Sequence, residues 1–161
     1  MILAAYTLLH VLISLVAILA GLVVVYDLIT VKRSSFWISL FLWSTLLTSV
    51  TGFLFPFHKF LPSYVVGILS VIVLIPAFLA HYKYRLSGIW SRVFAITATI
   101  ALYFNCFVLV VQCFKHIPPL QAIAPTQTES PFKIAQSIVL VIFLILGVAA
   151  TWKSRSTPLA S

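Results

Sequence analysis

The chain alternates long apolar runs with short polar breaks. Five runs are mostly apolar over about 20 residues, the length that an α-helix needs to cross the roughly 30 Å hydrocarbon core of a bilayer. They cover roughly residues 2–26, 36–55, 63–82, 91–114 and 133–152. The pattern predicts an all-α integral membrane bundle of five transmembrane helices in a single domain, residues 1–161. Four helices, with one segment re-entrant or interfacial, is the alternative fold.

The longest polar break joins the last two runs. This loop, residues 115–132, contains Pro118, Pro119, Pro125 and Pro131, which restrict its backbone. A connection of this length in a compact chain is more often functional than accidental. Pro76 lies inside the third run and predicts a kink, which neighbouring helices in a membrane can accommodate.

The distribution of charged residues predicts the orientation of the bundle in the membrane. The chain is 63% hydrophobic and only 7% charged, against about a quarter charged in soluble domains. Its formal charge of +8 does not indicate nucleic acid, because basic residues stand singly or in pairs between apolar runs. By the positive-inside rule the N-terminus lies outside and the C-terminus in the cytoplasm. The cytoplasmic side then holds Lys32, Arg33, Lys83, Arg85, Arg92, Lys153 and Arg155, and the outer side holds Lys59, Lys115 and Lys133.

Polar and small residues share one side of several predicted helices. At about 100° per residue, one side of the second run carries Ser44, Thr45, Thr48, Ser49, Thr51 and Gly52. Its other side carries Leu46, Leu47, Val50, Phe53 and Leu54. Glycines at matching depth predict contacts of the first helix with the fifth and of the second with the third, through the pairs Gly21/Gly147 and Gly52/Gly67.

The polar residues concentrate in the outer half, beneath the loop. One hypothesis is a ligand pocket open to the outside with the loop as its lid, suited to a small polar group or a quinone head group. Its ligand-binding residues would be His10, Ser14, Thr48, Thr51, Asn105, Gln112, Gln136, Thr126, Gln127 and Glu129. The alternative is that the intramembrane residues only hydrogen-bond between helices, each bond worth about 1 kcal/mol or less.

Histidines raise the question of a cofactor. His10 lies inside a predicted span, where an ionisable residue is a functional hypothesis by default. Haem needs two ligands at nearly one depth, and His10, His58, His81 and His116 offer no such pair. Haem or quinone binding is kept as an alternative function. A metal site from His58, His116, Cys113 and Glu129 has no recognised spacing, so no metal is expected. We expect Glu129 to pair with Lys115, Lys133 or His116 at the surface.

Catalysis is not expected. The two acidic residues, Asp27 and Glu129, lie on opposite sides of the membrane and cannot form a catalytic pair, and no enzyme motif occurs. The spans also lack the matched, interrupted halves of a transporter. A small multi-pass chain with small-residue stripes fits an accessory or structural subunit that binds another membrane protein, or itself as a homo-oligomer.

Three segments carry a resemblance. The run "NCFVLVVQCF" (105–114) followed by "APTQTESPFKIAQ" (124–136), together with "TGFLFPF" (51–57), resembles small multi-pass inner-membrane proteins of bacteria. The resemblance covers the fourth span through the start of the fifth. It implies location in a bacterial inner (plasma) membrane, and it implies no activity or site residue.

Overall fold

The computed structural model describes residues 2–54 and 62–154, with side chains described over 5–54 and 64–154. His58, Lys59 and Arg155 therefore lie outside the described residues. The helices are α1 (Ile2–Ile29), α2 (Ser35–Phe53), α3 (Pro62–Phe78), α4 (Ile89–His116), α5 (Pro118–Ile123) and α6 (Ser130–Lys153). A π-helical turn, Leu79–Lys83, continues α3 beyond Pro76.

Five of these helices are long and apolar enough to cross a membrane, which confirms the predicted fold class: α1, α2, α3 with its π turn, α4 and α6. The loop between the last two is shorter than predicted, because α4 continues to His116 and α6 begins at Ser130. Within it, α5 was not predicted. Prolines occupy the first turns of α5 and α6, where the missing N–H leaves no helical hydrogen bond unmade.

Helix α4 lies at the centre of the bundle. It packs against α1, α3 and α6 and carries α5 at its end, whereas α2 packs against α1 and α3. Ala95, Ala98 and Ala101 of α4 are fully buried, and such small side chains let helix backbones approach closely. The largest fully buried side chains come from α1, α2, α3 and α4 and include Phe41, Leu74 and Phe94.

The glycines mark close contacts, and Gly67 meets the helix predicted for it, whereas Gly21 and Gly147 do not. A Cβ added at Gly21 would lie 2.6 Å from Leu102 Cδ1 and 2.8 Å from Phe41 Cε2, so Gly21 sits where α1, α2 and α4 meet. Gly147 faces Thr99 of α4, and Gly67 faces Phe53 of α2. The predicted helix pairs, α1 with α6 and α2 with α3, are in contact. Depth alone could not show which neighbour each glycine meets.

The two ends of the bundle differ. We call the end that holds the connections 30–34 and 84–88 the basic end, and the end that holds residues 117–129 the loop end. At the basic end, Arg33 donates to the Leu86 carbonyl at 3.1 Å and to Ser91 Oγ at 2.8 Å. These bonds tie the α1–α2 connection to the α3–α4 connection. Gly88, the residue before α4, has φ 51° and ψ −125°, a conformation that glycine alone adopts readily.

The predicted polar side of α2 faces inward. Ser44, Thr45 and Ser49 are buried, whereas Leu47 and Val50 on the opposite side are exposed. Helices α3 and α4 follow the same rule over most of their length, since Ser70, Leu74, Ala77, Ala98 and Ala101 are all buried. The polar pattern therefore predicted the inward face of α2 correctly.

Candidate functional site

A polar seam joins α1 and α2 near the loop end. His10 Nδ1 lies 2.8 Å from Thr51 Oγ1, and Tyr6 donates its hydroxyl to the Thr51 carbonyl at 2.6 Å. The Thr51 hydroxyl lies 2.7 Å from the Leu47 carbonyl, to which it donates, so its lone pairs are left for an Nδ1–H of His10. Ser14 donates to the carbonyl of His10. His10 thus serves as a link between two helices.

A second group of polar side chains lies deeper, between α2, α3 and α4. Asn105 donates Nδ2 to Thr45 Oγ1 at 3.1 Å, which joins α4 to α2. His81, which follows α3, contacts Phe94 of α4. Ser70 lies eleven residues before His81, and Asn105 lies eleven residues after Phe94. Because α3 and α4 are antiparallel, Ser70 and Asn105 lie at the same depth in the bundle. We call this group, Thr45, Thr48, Ser49, Ser70 and Asn105, the buried polar layer.

Two hydroxyls in the buried polar layer have no hydrogen-bond partner among the described residues. They are Thr48 Oγ1 and Ser70 Oγ, and Ser70 is only 2% exposed. A hydroxyl buried without a partner costs about 1–3 kcal/mol relative to a satisfied one. A water molecule or a small ligand group beside either hydroxyl would satisfy it.

The glutamines lie elsewhere. Gln136 of α6 donates Nε2 to the Phe107 carbonyl of α4 at 3.2 Å, and its buried Oε1 has no partner among the described residues. Gln112 is exposed on α4. Of the predicted ligand-binding residues within the spans, the structure therefore groups His10, Ser14 and Thr51 in one place and Thr48 and Asn105 in another.

The loop residues form a local structure of their own. The Glu129 carboxylate accepts hydrogen bonds from the Thr126 hydroxyl at 2.7 Å, the Thr126 N–H at 3.1 Å and the Thr128 N–H at 3.0 Å. The Thr126 hydroxyl and these backbone donors hold the pKa of Glu129 below its ordinary value. The expected pairing with Lys115, Lys133 or His116 is absent from the described residues, because these nearer donors occupy the carboxylate.

One loop residue reaches the bundle. Gln127 Nε2 donates to the Val111 carbonyl of α4 at 3.0 Å, and its own backbone is left-handed at φ 60°. Ala124 is fully buried, and Phe132 packs edge-on against Phe114 at 5.4 Å between ring centroids. The loop is therefore fastened to the end of α4.

The described histidines do not converge. His10 lies near the loop end, whereas His81 lies in the π turn at the basic end, where Ser39 Oγ is 3.3 Å from its Nε2. His116 is exposed at the end of α4. Among the described residues, no three His, Cys, Asp or Glu side chains come together as metal ligands would. His58, part of the metal set considered above, lies outside them.

Sequence reasoning missed a groove between α4 and α6. It has a volume of about 730 Å³ and lies in the half of the bundle nearer the basic end. Its walls are mainly apolar, and the hydroxyls of Thr99 and Thr151 donate to carbonyls of their own helices at 2.7 Å. Lining side chains of this kind cannot be distinguished in a sequence from those that face lipid. The lining comprises Ile96, Thr99, Ile100, Tyr103, Phe104, Leu140, Phe143, Leu144, Gly147, Val148, Thr151 and Trp152.

No protein-family model, curated protein or solved structure matches this chain.

Proposed function

We propose that this protein is a non-catalytic accessory subunit of a bacterial inner-membrane assembly, with its N-terminus outside and its C-terminus in the cytoplasm. Its partner is a transmembrane helix of another membrane protein, which packs along the outward side of α6. The observation that carries the proposal is the position of α6 at the edge of the bundle, where few of its residues are buried.

Helix α6 contacts the rest of the bundle through one narrow side only. In its membrane-length window 11% of residues are buried, against 28–33% in the other four. Its two buried side chains, Phe143 and Ala150, lie on the side that meets α4 and α1. The rest of this helix is available to a second protein.

The outward side of α6 carries a regular apolar row. Ile134, Ile138, Val141 and Ile145 are 53–64% exposed and follow one another at intervals of four, three and four residues. We call this row the α6 seam. An apolar repeat of 3.5 residues is the spacing at which two helices pack knobs into holes, and many transmembrane helix pairs use this geometry. Exposed rows of the same kind of spacing occur on α1 (Leu8, Leu12, Leu15 and Leu19) and on α3 (Val65, Ile68, Ile72 and Ile75), so the low burial of α6 is what distinguishes this helix.

The polar side chains support the same function. Tyr6, His10, Asn105 and Gln136 all bond to another helix. Such bonds average well under 1 kcal/mol each in membrane proteins, and together they fix how the helices pack. Polar groups used in this way hold the bundle together and leave its outer surface to contact other molecules.

Photo-cross-linking along α6 tests the proposal in intact cells. A photoreactive residue at Ile138 or Ile145 should give an adduct with one and the same second protein. The same residue at Leu19, which is 63% exposed on α1, is the matched control and should give none. The adduct at Ile138 should disappear when Ile145 is replaced by Trp. It should persist when Leu19 is replaced by Trp. An adduct with a second copy of this chain, or none at either seam position, would refute the proposal.

A second candidate function rests on the buried polar layer. The unpartnered hydroxyls of Thr48 and Ser70 favour a small polar ligand between α2 and α3, close to the pocket predicted from the sequence. Replacing Asn105 by Leu should then weaken binding of that ligand, and co-extracted small molecules identified by mass spectrometry would reveal it. An extract without any such molecule would refute this second function, and the accessory role would remain as the proposal.

A cytochrome or quinone protein is the remaining alternative. The purified protein should be colourless if it is an accessory subunit, because His10 and His81 lie at opposite ends of the bundle. A Soret band that shifts on reduction with dithionite would contradict this expectation.

A further inference from the structure

The groove between α4 and α6 has the dimensions of one leaflet. On α4 its lining extends from Ile96 to Phe104, about 12 Å along the helix, and on α6 from Leu140 to Trp152, about 18 Å. Half of a typical hydrocarbon core is about 15 Å. The groove is thus too short for a helix that crosses the whole membrane, and its length matches an acyl chain of the leaflet at the basic end.

The groove surface is suited to hydrocarbon. Side chains such as Ile100, Phe104, Phe143 and Leu144 supply most of its wall. Thr99 and Thr151 direct their hydroxyl protons at their own helices and leave the groove few polar contacts to offer. The groove opens to the side of the bundle, where lipid is the surrounding solvent.

A positively charged side chain lies at the basic end of this groove. Arg92 lies one helical turn before Ile96 on the same side of α4, is exposed and has no hydrogen-bond or ion-pair partner among the described residues. It lies in the first turn of α4, where the helix dipole adds partial positive charge. Trp152, 71% exposed at this end of α6, belongs to the residue type that anchors at the headgroup layer.

We infer that this groove binds an anionic phospholipid, with one acyl chain between α4 and α6 and the phosphate on Arg92. Basic sites between transmembrane helices on the cytoplasmic side are known to attract anionic headgroups, at about 1 kcal/mol for each Lys or Arg near the surface. The groove adjoins the α6 seam, because its lining residues Val148 and Trp152 continue the spacing of that row. The test below is nevertheless independent of the proposed function, since it measures bound lipid and not a protein partner.

Lipid retention tests the inference directly. The full chain is reconstituted in nanodiscs that contain equal amounts of phosphatidylglycerol and phosphatidylcholine, and the lipid that remains bound is identified by native mass spectrometry. We expect phosphatidylglycerol to be retained about fivefold over phosphatidylcholine, which corresponds to the single cation. Arg92→Ala should bring this ratio to about one.

Three variants separate the headgroup from the chain and from general charge. Arg92→Lys should keep most of the preference, and so should Lys153→Ala, because Lys153 is exposed at the same end but does not line the groove. Leu144→Trp, which fills the groove from an exposed position, should reduce retention of both lipids. Equal retention of the two lipids by the wild type, or a preference that survives Arg92→Ala, would overturn the inference. A prenylated quinone in place of phospholipid would overturn it as well.

Discussion

The junction at Gly21 gives the sharpest test of the packing. Gly21→Ala adds one methyl group at the point where α1, α2 and α4 meet. Its Cβ would lie 2.6 Å from Leu102 Cδ1 and 2.8 and 2.9 Å from two Phe41 ring atoms, and both of these side chains are fully buried. Restoring an ordinary contact of 3.4 Å requires Leu102 to move by about 0.8 Å, the difference between 3.4 and 2.6 Å, inside a filled core.

The change in the free energy of unfolding caused by Gly21→Ala is the sum of two opposing effects. Overpacking a filled core costs about 1–3 kcal/mol. Replacing a glycine in the interior of a helix by alanine contributes about 1 kcal/mol of helix propensity in the other direction. We therefore expect Gly21→Ala to lower the free energy of unfolding by up to about 2 kcal/mol.

Gly147→Ala is the matched control. Its nearest neighbour, Thr99 Cγ2, would lie at 3.4 Å, an ordinary contact, so only the gain in propensity applies. Unfolding in mixed detergent and SDS micelles, followed by tryptophan fluorescence and circular dichroism, gives both free energies. If the two variants were equally stable, or if Gly21→Ala were more stable than the wild type, the three-helix junction would be wrong.

Three further outcomes are expected. Ser70→Ala should raise the free energy of unfolding by about 1 kcal/mol in the same micelle assay, because it removes an unpartnered hydroxyl; a decrease would instead show that this hydroxyl binds water or a ligand. Gln127→Ala should speed protease cleavage of residues 117–129 severalfold, whereas Gln121→Ala, at an exposed position whose side chain makes no hydrogen bond to the described residues, should leave it unchanged; equal cleavage of both would contradict the bond to α4. The pKa of Glu129 is lowered in the folded loop, so its stabilising effect is complete above the ordinary value of 4.5 and is lost as the pH falls through the lowered pKa. Hydrogen exchange of residues 126–129 should therefore accelerate in that acid range, and a loop as pH-sensitive in Glu129→Gln as in the wild type would refute this.

Apolar length and polar side predicted much of the fold. Runs of about 20 apolar residues located the five helices, and the inward face of α2 followed from Thr45 and Ser49 on one side and Val50 on the other. These features could be predicted because each depends on one helix and on the solvent around it.

The site was less predictable, because it depends on which helices are neighbours. Thr48 and Asn105 do lie in one layer, but Gln136 bonds to Phe107 and Gln112 points outward, although all four lie in the predicted outer half. The depth of a residue in the membrane does not show how its helix is rotated about its own axis, and so does not show which neighbouring helix the residue faces. The π turn after Pro76 and the short α5 were also missed, since both arise from local backbone geometry that apolar periodicity does not record.

The position of α6 has a consequence for biogenesis. It follows α1 to α4 in the chain, and those four helices already contain the largest fully buried side chains, Phe41, Leu74 and Phe94 among them. During synthesis the earlier part of a chain folds first. A four-helix core can therefore form before α6 leaves the ribosome, and α6 then docks on a finished surface while its outward side is still vacant. If α6 binds a partner helix as proposed, that contact forms only after the four-helix core.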